Sequence, residues 1–128
     1  MSQGGFDRPF HNPQNLVVGP IAMVFAGGTP EFWPEWPGQK FPILVKRGHR
    51  VTVAVARQAA GEVSLIYTQR PSQAVTFTPC RPGEGGGRGQ FWSGGVITAS
   101  PRCVPLRVSA DNRRPQQVVI ALGVTSCG

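Results

Sequence analysis

The residues best suited to covalent or metal chemistry in this chain are three cysteines, Cys80, Cys103 and Cys127, and two histidines, His11 and His49. Two cysteines can form a disulfide, a thiolate can act as a nucleophile, and cysteine with histidine can bind zinc or copper. The chain contains no Cys-x-x-Cys pair, and no histidine lies within five residues of a cysteine. This spacing does not favour a metal site, and we expect no metal and no other cofactor.

The cysteines favour a single disulfide. Cys80 follows one predicted strand and Cys103 precedes another, and both flank a strand predicted at 90–98. In an antiparallel meander these two cysteines would lie at the same end of the sheet. We therefore predict a Cys80–Cys103 bridge, with Cys127 as a free thiol that could also pair with a second chain. A disulfide is typical of an oxidising compartment.

Catalysis has weaker support in the sequence. A nucleophile, a base and an orienting group must lie within reach of one another, and no spacing places Cys127 or His49 beside such partners. The six acidic residues include no pair in sequence, so a two-carboxylate glycosidase is also unsupported. The Gly-rich run 83–89 lacks the Lys-Ser/Thr ending of a phosphate-binding loop. We expect a protein that is not an enzyme, and the alternative is a small secreted enzyme using Cys127 or His49.

Short strand-like runs separated by turn residues cover most of the 128-residue chain, which contains 17 glycines and 13 prolines. Residues 50–56 and 63–68, for example, alternate apolar with small or polar side chains, as half-buried strands do. We predict an all-β fold, a single antiparallel β-sandwich of immunoglobulin-like shape with seven to nine short strands. This domain would cover 15–128 and follow an extended arm over 1–14.

The same alternation predicts which side chains form the core and where a strand is interrupted. The pair Gly94-Gly95 predicts a bulge or a close crossing of two backbones. The residues expected to be largely buried are Val17, Val24, Val53, Val55, Leu65, Phe77, Trp92, Leu106 and Val119.

Aromatic and basic residues suggest a ligand surface. The net charge is +7, and arginine outnumbers lysine eleven to two. Aromatic rings between prolines can stack on sugars, and nearby cations can pair with carboxylate or phosphate groups. An anionic polymer or a cell-wall glycan would suit such a surface, whereas the alternative is that the rings cap one end of the sandwich. The candidate ligand-binding residues are Phe32, Trp33, Trp36, Lys40, Arg47 and Arg50.

The sequence also bears on location. No run of 18 apolar residues occurs, so we expect no membrane span. The first residues lack the basic region and apolar core of a signal peptide. Because the cysteines favour an oxidising compartment, we expect a secreted or extracytoplasmic protein in its mature form.

One segment carries a family resemblance. Residues 80–108 join a Gly-rich loop, the run F-W-S-G-G and the run P-R-C-V-P-L. With Val18-Gly19-Pro20 and the run R-V-T-V-A-V, this resembles a group of small exported actinobacterial β-proteins to which no activity is assigned, over residues 16–127. The resemblance implies secretion and a compact β fold. We predict a non-catalytic structural or binding module, with a small secreted enzyme or a phage or cell-surface assembly subunit as alternatives.

Overall fold

A computed structural model of the protein describes residues 8–28, 30–35, 37–79 and 89–127. Over these residues the protein is all-β, with two short 3-10 turns at Arg8–His11 and Arg57–Ala59. No helix in the described ranges is long and apolar enough to cross a membrane. The strands are β1 (Leu16–Val18), β2 (Ile21–Met23), β3 (Gly38–Lys40), β4 (Ile43–Lys46), β5 (Val51–Val55), β6 (Val63–Ile66), β7 (Ala74–Phe77), β8 (Gly89–Trp92), β9 (Gly95–Thr98), β10 (Arg102–Ala110) and β11 (Gln116–Leu122).

The described residues form eleven strands, more than the seven to nine predicted, and these form three open antiparallel sheets. The first sheet has the order β1-β2-β4-β8, the second has the order β11-β10-β5-β7, and the third has the order β3-β9-β6. One hydrophobic cluster draws side chains from all three sheets. In β5, for example, Val51, Val53 and Val55 are buried while Thr52 and Ala54 are only partly so, as the period of two in the sequence predicted.

The core prediction is confirmed for five residues, while Val24 and Trp92 are half-buried. It is wrong for Val17 and Val119, whose side chains are 37% and 42% exposed. Both lie on strands at a sheet edge, and each occupies the face that points away from the shared core. Apolar type alone cannot tell the two faces of such a strand apart. The five confirmed core residues are Val53, Val55, Leu65, Phe77 and Leu106.

The Gly94-Gly95 pair lies where the chain passes from the first sheet to the third. A Cβ atom on Gly94 would lie 2.2 Å from the ring of Tyr67 and 2.3 Å from the carbonyl oxygen of Ile66. The predicted close backbone approach is therefore confirmed. Only a glycine fits there without displacing neighbours, because such contacts are far inside van der Waals distance.

The predicted meander is wrong. The region 90–98 does not lie between the strands that precede and follow it, because β8 pairs with β4 and β9 pairs with β3 and β6. Instead β5 separates β7 from β10. Because the chain changes sheets at Gly94, neither half of 90–98 belongs to the second sheet. Two cysteines that flank this region in sequence are therefore not brought to the same end of one sheet.

The 3-10 turn at Arg8–His11 places Phe10 on the outer face of the first sheet, against the buried side chains of Ala22 and Leu44. The ammonium group of Lys46 lies 4.7 Å from the centroid of the Phe10 ring. This ring contact ties the start of the described chain to the sheet.

Candidate functional site

The aromatic loop divides its rings between the core and the surface. Phe32 is half-buried and packs against the shared hydrophobic cluster. Trp33 is 37% exposed, and its backbone forms an antiparallel bridge with Gly38, which closes the loop. Trp36 lies outside the described residues. In the described part of this loop, Trp33 is therefore the aromatic residue that is exposed at the surface, whereas Phe32 packs on the core.

Trp33 lines an open groove with a volume of about 880 Å³. Its walls come from three parts of the chain: the segment before β1, the bend after β2, and the loop that leads through β3. Lys40, a predicted site residue, also lines it. The lining residues are Pro13, Gln14, Phe25, Gly27, Gly28, Pro30, Glu31, Trp33, Gln39, Lys40 and Pro42.

The second aromatic ring of the groove is Phe25, which the sequence did not single out because it ends an apolar run, 21–25, that predicts a strand. The ring is 56% exposed, and the backbone has a φ of 68°. A left-handed backbone costs an ordinary residue about 1–2 kcal/mol. The one signal that could have revealed it is the Gly27-Gly28 pair two residues further on, which marks a tight bend rather than a strand.

Asn15 holds this bend in place. The backbone N–H of Phe25 donates to Oδ1 of Asn15 over 2.9 Å. The Nδ2 group of Asn15 donates to the Pro9 carbonyl at 2.9 Å, and the Gly27 N–H donates to the Gln14 carbonyl at 2.9 Å. Hydrogen bonds from the segment before β1 therefore fix the left-handed conformation of the bend after β2.

Polar groups flank the two rings. Gln39 is buried, and its Nε2 donates to the carbonyl oxygen of Glu31 over 2.8 Å, which anchors the loop to β3. The side chains of Glu31 and Lys40 are exposed in the groove. One acid and one base balance each other, so the groove itself carries little net charge.

Arg47 and Arg50, predicted to lie near the aromatic loop, do not line this groove. They lie on the connection from β4 to β5, at the end of β4 away from Lys40. Arg50 instead lines a second, more polar pocket with a volume of about 440 Å³, together with Thr52, Ser109, Asp111 and Asn112.

His49 and Asp111 meet at the rim of this second pocket. The Nδ1 atom of His49 lies 2.6 Å from Oδ2 of Asp111, and the backbone N–H of Arg50 donates to Oδ1 at 2.8 Å. The Arg50 N–H and His49 lower the pKa of the Asp111 carboxyl, because both stabilise its charged form. An aspartate that orients a histidine supplies two of the three members of a catalytic triad, but no described hydroxyl group hydrogen-bonds to His49.

The cysteine prediction requires correction. Cys103 is bonded to Cys127, with their Cα atoms 5.6 Å apart, so neither a Cys80–Cys103 bridge nor a free Cys127 thiol is present. The physical reason is the β10–β11 pairing, in which Cys103 lies opposite Ala121, and the chain then turns at Gly123. Cys80 lies outside the described residues. In the bridged protein Cys127 cannot act as a nucleophile or link two chains.

Metal ligands do not cluster in the described ranges, where no group of three or more His, Cys, Asp or Glu side chains could hold an ion. His11 lies in the first 3-10 turn, and His49 is engaged with Asp111. No protein-family model matches the sequence, and no curated protein matches it either.

Proposed function

We propose that this protein is a non-catalytic, extracytoplasmic binding module that holds a carbohydrate chain, such as a cell-wall glycan, in the groove of Phe25 and Trp33. The proposed scaffold is an immunoglobulin-like sandwich in which the three sheets enclose their common core. The intramolecular disulfide supports an oxidising compartment.

The exposed ring of Phe25 carries the proposal. Burial of an aromatic ring normally stabilises a fold, yet this ring is more than half exposed on a left-handed backbone. Such strain is concentrated at functional sites, where the surrounding structure maintains it. The two hydrogen bonds of the Asn15 side chain hold the Phe25 backbone in this conformation. An end cap of the sandwich would bury this ring instead.

Carbohydrate suits this groove because the apolar faces of sugar rings stack on aromatic rings while their hydroxyl groups require polar partners. Phe25 and Trp33 provide two rings, and Gln14, Glu31 and Lys40 provide amide, carboxylate and ammonium groups beside them. A rigid groove also lowers the entropy that binding costs.

Titration of the tryptophan fluorescence with fragments of cell-wall glycan tests the proposal. Replacement of either ring, in Phe25→Ala or Trp33→Ala, should weaken binding about three- to tenfold, which corresponds to the loss of one stacking contact. Phe91→Ala is the matched control, because Phe91 is 50% exposed but does not line the groove. Equal affinities of Phe25→Ala, Phe91→Ala and wild type would contradict the proposal.

Two other functions have less support. A small secreted enzyme could use the His49–Asp111 pair, but it would need a nucleophile other than the bridged Cys127. A phage or cell-surface assembly subunit would form defined oligomers, which light scattering would detect. No contact among the described residues favours such an assembly over a binding module.

A further inference from the structure

The polar pocket is built on the outer face of the second sheet. Ser109, Thr52 and Thr76 lie opposite one another on three adjacent strands and form one row across the sheet. The hydroxyl groups of Thr52 and Thr76 are hydrogen-bonded at 2.8 Å. This row supplies hydroxyl groups along one edge of the pocket, where strand register rather than loop conformation fixes their spacing.

A tight turn forms the wall of the pocket. Asp111 and Asn112 both have positive φ values, and the Arg113 N–H donates to the Ala110 carbonyl, which makes a type I′ turn. The Asp111 N–H donates to the Arg50 carbonyl, and the Arg50 N–H donates back to the Asp111 carboxylate. These two hydrogen bonds hold the turn against the start of β5, so the wall of the pocket is in place before any ligand binds.

The charge around this pocket is positive. Arg50 lines it, Arg113 lies close enough to act on the Asp111 carboxylate, and Arg107 is exposed one row further along the same face. Within the described ranges, none of these three guanidinium groups forms a salt bridge within 4 Å of an acid, in contrast to His49 with Asp111 and Arg102 with Glu62. The one acid of the pocket already accepts bonds from His49 and from the Arg50 backbone.

We propose that this pocket is a second binding site, independent of the aromatic groove, which holds a sulfated or phosphorylated sugar. The Arg50 and Arg113 guanidinium groups would bind the ester oxygens, and Thr52, Ser109 and Asn112 would bind the sugar hydroxyls. None of the lining residues is aromatic, so the pocket offers no surface on which a nucleic-acid base could stack.

Calorimetric titration with a heparin oligosaccharide of defined length tests this site. Arg50→Gln and Arg113→Gln should each weaken binding about tenfold, as expected for the loss of a charge-assisted hydrogen bond. The Arg50 variant keeps its backbone bonds to Asp111, so the pocket should keep its shape. Arg57→Gln removes the same charge beyond the opposite end of β5 and is the matched control, with an expected change below about twofold.

Three further measurements distinguish the alternatives. Thr52→Val should weaken binding of the heparin oligosaccharide several-fold and leave binding of inorganic sulfate unchanged, because it removes a hydroxyl group without removing charge. Trp33→Ala should leave heparin binding unchanged, whether or not the groove binds a glycan. A desulfated oligosaccharide should not bind this pocket. Equal losses in Arg50→Gln and Arg57→Gln, or tighter binding of single-stranded DNA that also depends on Arg50, would overturn the proposal.

Discussion

The aromatic groove and the polar pocket are positioned by different kinds of structure. The groove joins three loop segments, and side-chain hydrogen bonds from Asn15 and Gln39 hold them together. The pocket lies on adjacent strands, so the register of the ladder determines where Thr52 and Ser109 stand. A site built on a ladder depends on the stability of the whole sheet, whereas a site built from loops can be lost through one hydrogen bond.

The largest effect should come from the disulfide, which joins β10 to the chain after β11 at the end of the hairpin far from the polar pocket. The cysteines are 24 residues apart, so their link should contribute about 3.5 kcal/mol to the free energy of unfolding in the chain-entropy model. Denaturant unfolding of a Cys103→Ser/Cys127→Ser variant should show this loss. Binding at the pocket should persist wherever the variant stays folded.

The control is Cys80→Ser, which leaves the described bridge intact. Peptide mapping without reductant should recover a Cys103–Cys127 pair from the wild type and from this variant. A Cys80–Cys103 pair, or an equal loss of stability in Cys80→Ser, would contradict the Cys103–Cys127 bridge.

An intermediate effect is expected at the groove. Asn15→Ala removes the acceptor of the Phe25 N–H, and the free energy of unfolding should fall by about 1 kcal/mol. Glycan affinity should fall with it because the Phe25 ring is no longer held in place, while heparin binding should not change. Asn15→Asp retains the acceptor and should recover most of the groove affinity. If both variants bind glycan as the wild type does, the bend does not position the ring.

The smallest effect is expected at the polar pocket and depends on pH. The pKa of Asp111 lies below its ordinary value of 3.8 in the folded protein, so folding favours the charged carboxylate. The resulting stabilisation is present above that ordinary value and is lost as the pH falls through the lowered pKa.

Thermal unfolding between about pH 6 and pH 2 should therefore show a decline in Tm that is smaller in Asp111→Asn than in the wild type. Glu62→Gln is the control, since Glu62 forms only a long contact of 3.8 Å with Arg102. An identical pH dependence in Asp111→Asn and wild type would mean that the hydrogen bonds of the Asp111 carboxylate contribute nothing to the stability of the fold.

The sequence predicted most of the strands but not how they are arranged. Period-two alternation located β5 and β6, because one face of each packs on the core. The order of strands in a sheet depends on contacts between distant residues, which leave no local pattern. The passage of 89–98 from one sheet to another at Gly94 is such a case, and it is why the cysteine pairing was predicted wrongly.

The candidate sites show the same division. The sequence named Trp33, Lys40 and Arg50 as candidate ligand-binding residues from their types and spacing, and Trp33 and Lys40 do line one groove. It did not find Phe25, whose side chain type is that of a core residue. It also joined Arg50 to the aromatic loop, although the two lie in separate cavities.

By itself, then, the sequence determined the all-β class and the basic charge, since these follow from composition and short-range periodicity. Tertiary structure alone decided that Cys103 bonds Cys127, that Phe25 faces solvent, and that Trp33 and Arg50 line two separate cavities. Each of these depends on long-range pairing, in which strand register and a few hydrogen bonds bring together residues far apart in the chain.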